Sequence, residues 1–401
     1  MSGADEVRGV ARYRGLFANR YAASLFTWGI VARLPQGMET LALVLLVRAT
    51  GAGYGEAGLV AAGCAAAIAV GAPYGGRQVD RRGASRVLRR RTVLYSGLLG
   101  TVALLGFAGA PVVAIGLVAA AGGLTMPPVS SVSRSIWPTV AGDDGARTAY
   151  ALDAALQEVI FIGGPLLVAV LVIFNPAAGV AGAAVLAAVG TYMFSRLPPV
   201  RAAGPAEQLH SSRLGALSSV GVRTLALVCL FFGIGLGAAE IAIPAFAEGQ
   251  GSRALAGIAL AGFSLGSLVG GLLAALRPSR DERRRIMLGT CAFTLLMCLP
   301  LFAVSISTMT ALLFVAGLPL APVIAAMYGQ ISRVAAAGTV AEAFSWFGTS
   351  ISIGIAGGTL AGGWLIDGYG WRVAVVLGIV FFGIGSVFVA LRRATLAPPL
   401  R

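Results

Sequence analysis

Apolar residues in this chain do not alternate with polar ones; they run on. Windows of roughly 19 residues separate twelve apolar stretches divided by arginine clusters or by Pro- and Gly-rich breaks. They predict helices over 22–47, 54–75, 92–110, 112–131, 149–173, 177–195, 223–246, 253–276, 286–305, 308–330, 343–366 and 372–391. Each is about the length that a 30 Å hydrocarbon core requires. The expected fold class is an all-α membrane protein of twelve transmembrane helices.

The side on which the cations fall tests that count, because arginine is retained on the cytoplasmic side during insertion. All 30 basic residues are Arg. With twelve helices, 26 of the 30 fall on one side, and only Arg48, Arg253 and Arg372 fall opposite, with Arg33 inside the first span. Both termini are therefore expected in the cytoplasm. The net charge of +14 reads as a topology signal and not as a nucleic-acid footprint. Composition agrees: 57% of residues are apolar and 11% charged, against about 25% charged in soluble proteins. Mean hydropathy is +0.86. The first twenty residues are charged and lack a short apolar region with a cleavage site, so the first span is expected to be retained. Localisation in the cell membrane is expected.

The longest polar stretch, Leu197 to Val222, divides six helices from six. The expected domains are 1–196, a linker over 197–222, and 223–401. Internal matches support a duplication. Gly123-Leu124-Thr125-Met126-Pro127-Pro128-Val129 recurs as Gly317-Leu318-Pro319-Leu320-Ala321-Pro322-Val323, and Gly163-Gly164 recurs as Gly357-Gly358, both at an offset of 194. Gly58, Gly63 and Gly71 match Gly257, Gly262 and Gly270 at 199. Two parallel six-helix repeats are an architecture of alternating-access carriers.

After the second span the chain reads Gly75-Gly76-Arg77-Gln78-Val79-Asp80-Arg81-Arg82-Gly83-Ala84-Ser85-Arg86. This resembles the Gly-x-x-x-Asp-Arg-x-Gly-x-x-Arg loop of the major facilitator superfamily. The resemblance implies a cytoplasmic gating loop of Gly76, Asp80, Arg81, Gly83 and Arg86, whose acid and cations hold neighbouring helix ends. The second half keeps only Asp281 and Arg283 to Arg285 at the matching place. Gly164-Pro165 resembles the core of a signature in the superfamily's proton-coupled antiporters, without its outer glycines. A plain helix kink accounts for it equally well.

Charge inside a bilayer is costly unless paired or wetted, so intramembrane ionisable residues are functional candidates. Five qualify for a proton-coupling and substrate cavity: Arg33, Glu39, Asp153, Glu158 and Glu240. Arg33 is expected to work with Glu39, Glu39 to face Glu240 across the two-fold axis, and Asp153 to lie shallow, near cytoplasmic water. Arg134 is placed at the cytoplasmic end of the fourth helix. A fixed structural ion pair without titration is the competing account.

Two Asn and six Gln in the whole chain disfavour a sugar, and one intramembrane cation disfavours phosphate esters. Aromatics such as Phe26, Trp28, Phe232, Tyr328, Phe344 and Trp346 suit hydrophobic or amphipathic molecules, cations included. The expectation is a secondary active transporter, a proton-coupled exporter of such small molecules, with protons and lipids as partners and a monomeric state. An importer or uniporter of a small amphipathic metabolite is the first alternative, and a non-transporting receptor or lipid scramblase the second. No enzyme is indicated, since no nucleophile, base and oxyanion donors converge. Neither a cofactor nor a metal is indicated: Cys64, Cys229, Cys291 and Cys298 sit singly in apolar runs.

Overall fold

In a computed structural model of the protein, residues 14–52, 54–205, 214–250, 256–276 and 281–396 are described. The first half contains α1 (Ala22–Ala49), α2 (Tyr54–Arg82), α3 (Ala84–Phe107), α4 (Val112–Asp143), α5 (Gly145–Val172) and α6 (Ala178–Arg196). The second contains α7 (Val220–Gly249), α8 (Ala256–Leu276), α9 (Glu282–Leu296), α10 (Ile306–Val334), α11 (Val340–Tyr369) and α12 (Trp371–Leu391). Eleven are long and apolar enough to cross a membrane. The twelfth, α3, carries Arg86, Arg89, Arg90 and Arg91 in its first two turns, and the apolar part follows them. The protein is a multi-pass, all-helical membrane protein.

Several helices begin or end beyond their apolar runs. The stretch read as a loop after the second span is helical through Arg82, and α3 starts at Ala84. Gly83 alone makes the turn, with φ at +82°, a value that suits glycine. Arginine is a good helix former, so hydropathy marks where the membrane ends and not where the helix does. Likewise α4 runs past its predicted end. It breaks at Met126, Pro127 and Pro128 and resumes at Val129. Gly142, at φ 64°, separates it from α5. The predicted start of the eighth helix, with Arg253, lies outside the described residues, as do Arg8, Arg12, His210 and Arg213 of the two polar segments.

Equivalent helices pack in equivalent pairs: α1 on α5 and α6, α2 on α4, and α3 on α6, against α7 on α11 and α12, α8 on α10, and α9 on α12. The repeated glycines explain why. A Cβ at Gly164 would lie 2.5 Å from the carbonyl carbon of Gly37, at the α5–α1 crossing. At Gly358 it would strike the carbonyl of Ile234, at the α11–α7 crossing. Gly71 and Gly270 likewise face the carbonyls of Leu124 and Leu318, while Gly123 and Gly317 face those of Cys64 and Phe263. Each matched pair thus performs one task twice: it brings backbones into contact where lipid gives helices little reason to associate. Between the halves, α2 packs on α11, and the segment Val129–Val172 packs on α8 and α10.

Gly164→Val and Gly358→Val should each force two backbones apart, at a cost of about 1–3 kcal/mol or more. Both should lower the thermal unfolding midpoint in detergent. Gly63→Val and Gly357→Val, where a Cβ would meet nothing within 4 Å, should change it far less.

Candidate functional site

Two groups of polar residues stand out: a set of contacts that join the halves at the Arg-rich end, and a buried charge cluster deeper in the bundle.

At the Arg-rich end, α11 begins at Val340, and its N-cap residue Thr339 makes no side-chain cap. The free amides are capped from the other half of the protein. Asp80, in the last turn of α2, accepts hydrogen bonds from the backbone N–H groups of Ala341 at 3.2 Å and Glu342 at 2.9 Å. An acid at a helix N-terminus also complements the helix dipole. One turn earlier on α2, Arg77 donates twice to Glu342, Nε to Oε2 at 3.1 Å and Nη2 to Oε1 at 2.8 Å. Gly76 lets α2 lie against α11, because a Cβ there would come within 2.5 Å of the Ser345 hydroxyl. Ser131 and Ser345 share a hydrogen bond of 2.8 Å, and Thr349 Oγ1 donates to the carbonyl of Ala69 at 3.0 Å.

The arginines expected to complete this loop do not face α11. Arg81 and Arg86 are exposed, and Arg77 is the cation that crosses. Gly83 is buried and forms the turn, and the next residue, Ala84, donates its N–H to the carbonyl of Ala203 at 2.9 Å. A second latch is present as well, built differently. Asp281, the counterpart of Asp80, caps its own helix through the N–H of Arg284. Its neighbour Glu282 instead accepts from Arg147 of α5 at 2.9 Å and from Arg333 of α10 at 2.7 Å. Sequence reading missed Glu282 and Glu342 because each was counted as part of a polar flank. An acid in the first turn of a helix at the arginine-rich side is the signal that could have found both.

Deeper in, Arg33 and Asp153 are both 0% exposed and meet at 2.7 Å, Nη1 to Oδ1. The other oxygen of Asp153 accepts from Arg134 Nε at 2.8 Å. Arg33 also donates Nε to the carbonyl of Gly29, while its Nη2 has no partner. One carboxylate therefore holds two guanidiniums from α1 and α4. Arg33 is eleven residues into α1, about 16 Å at 1.5 Å per residue, close to half the depth of a bilayer core. The second half reaches the cluster as well: Tyr328 of α10 lies under Arg134, with the guanidinium carbon 4.0 Å from the ring centroid. Tyr150, Phe344 and Phe347 surround Tyr328 at centroid distances of 5.0–6.2 Å. The Tyr150 hydroxyl donates to the carbonyl of Arg134.

Three expectations are corrected here. Arg33 pairs with Asp153, not with Glu39; Asp153 is fully enclosed, not shallow; and Arg134 is buried inside the bundle, not a flank. Arg134 was misplaced because hydropathy ended its helix several residues too early. Glu39 points into the first half's own core. There the Cys64 thiol of α2 lies 3.2 Å from its Oε1 and 3.3 Å from the carbonyl of Ala119, and the Tyr95 hydroxyl of α3 is close by. Glu240 is exposed on α7, so the two glutamates do not share a surrounding. Glu158 falls on α5, and its side chain lies outside the described residues. Of the aromatics, Phe26 stacks on Trp137 and Phe232 packs on Phe293 and Phe382 within their own halves. Tyr328 and Phe344 do lie at the seam.

Two pseudo-symmetric six-helix halves, joined at one end around a buried polar centre, are an arrangement on which alternating-access carriers are built. Residues 225–401 match the Major Facilitator Superfamily family model. No curated protein matches the sequence. Among solved structures, a bacterial homologue of the iron transporter ferroportin in the outward-facing state aligns with a TM-score of 0.75 and 10% identity over 93% of this chain and 99% of that one. The human organic anion transporter MFSD10 (TETRAN) aligns at 0.72 and 14%, over 92% and 99%. The proton:xylose symporter XylE aligns at 0.67 and 13%, over 93% and 96%. The chain thus matches the superfamily by sequence over its second half and shares the fold of these transporters along its length.

Charge-assisted hydrogen bonds contribute about 1.5–3 kcal/mol each, so Asp80→Asn or Glu282→Gln should shift the balance of conformers tenfold or more. Spin labels on the exposed positions Arg89 and Arg283, read by electron–electron distance measurements, should gain a longer-distance population in either variant.

Proposed function

We propose that this protein exports hydrophobic or amphipathic small molecules across the cell membrane in exchange for protons, as a monomer with its Arg-rich end in the cytoplasm. The observation that carries the transport step is the distribution of contacts between the halves. At the Arg-rich end and into the first third of α11, polar contacts cross the seam at Glu282, Glu342 and Thr349. A seam sealed at one end by hydrogen bonds and ion pairs can separate there at modest cost once water enters, since polar groups exchange one partner for another. The halves would rock as units, with the segment 197–222 as the linker between them.

Proton coupling is assigned to Glu39. Among the described residues no cation pairs with it; its neighbours are a thiol and a phenol. A carboxyl so placed can carry a proton as a neutral group and give it up when water reaches it. Asp153, held by two arginines, is instead a fixed counterion. The aromatic group at the seam, Tyr150, Tyr328, Phe344 and Phe347, offers the apolar surface that an amphipathic cargo needs.

In liposomes carrying an internal pH dye, addition of amphipathic compounds should move protons through the wild-type protein. Glu39→Gln should abolish that movement while leaving exchange of unlabelled for labelled compound measurable. Proton movement that persists in Glu39→Gln would remove Glu39 from the coupling step.

A further inference from the structure

Among the described residues, the Arg33–Asp153–Arg134 cluster is one negative charge short. Two guanidiniums, one fully enclosed and one with a side chain 7% exposed, share a single carboxylate. Its other described neighbours from the packed helices include Tyr150, Tyr328 and the Cys229 thiol. Asp143, the other acid near Tyr150, is exposed at the Arg-rich end. At the Glu282 junction the arginines Arg147 and Arg333 are 17% and 34% exposed, so water reaches them. No such relief reaches Arg33, whose Nη2 has no hydrogen-bond partner. Burying a cation without a counterion is costly. In the present conformation, part of that cost is offset by the ring of Tyr328, which lies 4.0 Å from the Arg134 guanidinium. Tyr328 belongs to the other half. When the halves part at the Arg-rich end, the ring withdraws and Arg134 loses its cover.

Resting on the transport reading above, we propose that the missing charge belongs to the cargo: the protein carries amphipathic monoanions, with a carboxylate or equivalent acid on an apolar body. The acid group takes the face of Arg134 that Tyr328 now covers, and the body rests among Tyr150, Phe344 and Phe347. Tyr328 is then a stand-in for the anion, occupying its place in the latched state. The fold places Arg134 beside Arg33 in the bundle, where sequence reading counted one intramembrane cation, and the proposal therefore favours an anionic cargo over a cationic one.

Thermal unfolding of the full-length protein in detergent provides the test. The probes are aryl, fused-ring and alkyl carboxylates, each paired with its primary amide and its ammonium analogue, and sodium chloride serves as the inorganic arm. One or more carboxylates should raise the midpoint saturably, with the paired amide about 30-fold weaker or more, the loss expected when a buried charge partner is removed. Arg134→Gln leaves Arg33 and Asp153 as a balanced pair. It should fold and no longer distinguish carboxylate from amide. Asp153→Asn leaves both arginines without an acid, and should lower the unliganded midpoint and enlarge the carboxylate shift. Absence of any carboxylate effect, equal effects of amides or ammonium compounds, a shift reproduced by chloride alone, or a carboxylate shift that survives Arg134→Gln would each overturn the inference. The liposome assay separates the two readings. Proton-coupled flux of neutral or cationic compounds without carboxylate preference overturns the anion inference alone. Carboxylate flux without proton movement overturns proton coupling alone.

Discussion

A helix that lacks its own cap is the constraint on which the closed end of this protein depends. Thr339 leaves the first amides of α11 unsatisfied, and Asp80 supplies the acceptor from the opposite half. A buried amide without a partner is expensive, so α11 is fully satisfied only when α2 is beside it. Arg77 and Glu342 add charge to the same junction, and Gly76 allows the approach. The stability of one helix end is thereby tied to the position of a whole half. Water can replace Asp80 once the junction opens, which makes the contact strong when sealed and cheap to release.

The second junction reaches the same end by other means. Asp281 caps α9 locally, and Glu282 bridges Arg147 and Arg333. The duplicated halves therefore share their packing more closely than their polar chemistry. Glycines at helix crossings recur at fixed offsets because each faces a backbone carbonyl, and any side chain would push the helices apart. Latch residues face the other half, where the two repeats present different neighbours to each other, so nothing requires them to match.

That distinction also explains what was legible in the sequence. Helix number and the packing role of the repeated glycines could be read, since they rest on hydropathy and on glycine spacing, which are local properties. The stretch that joins the halves was found through Asp80 and Gly76, yet Arg81 and Arg86 were named where Arg77 does the bridging. Their identity depends on which face of α2 meets α11, and a stretch read as loop has no face. Arg134 was lost for a related reason. Hydropathy ended α4 before it, although the helix resumes after Pro128 and carries Arg134 inward to Asp153. Glu39 and Glu240 occupy matching places in the two halves, but one turns into its own half and the other is exposed; register along a helix did not predict rotation about it.

In the proposed transport cycle, the buried cluster and the contacts at the Arg-rich end would divide the work by depth. Near the end, Glu282 and Glu342 hold arginines that water can reach, so their pairs can break and re-form as the halves move. At mid-depth, Asp153 holds two arginines that water does not reach in this conformation, and α1, α4 and α5 stay tied together whichever way the halves tilt. Both arginines and the aspartate belong to the first half, and the Tyr328 ring that covers Arg134 comes from the second. On the proposed rocking motion the ion pairs would stay intact, and the contact that changes is the Tyr328 ring on the face of Arg134. A site that is rigid in its charges and variable in one cover can bind cargo in one state and close over itself in the other without unpairing a buried ion.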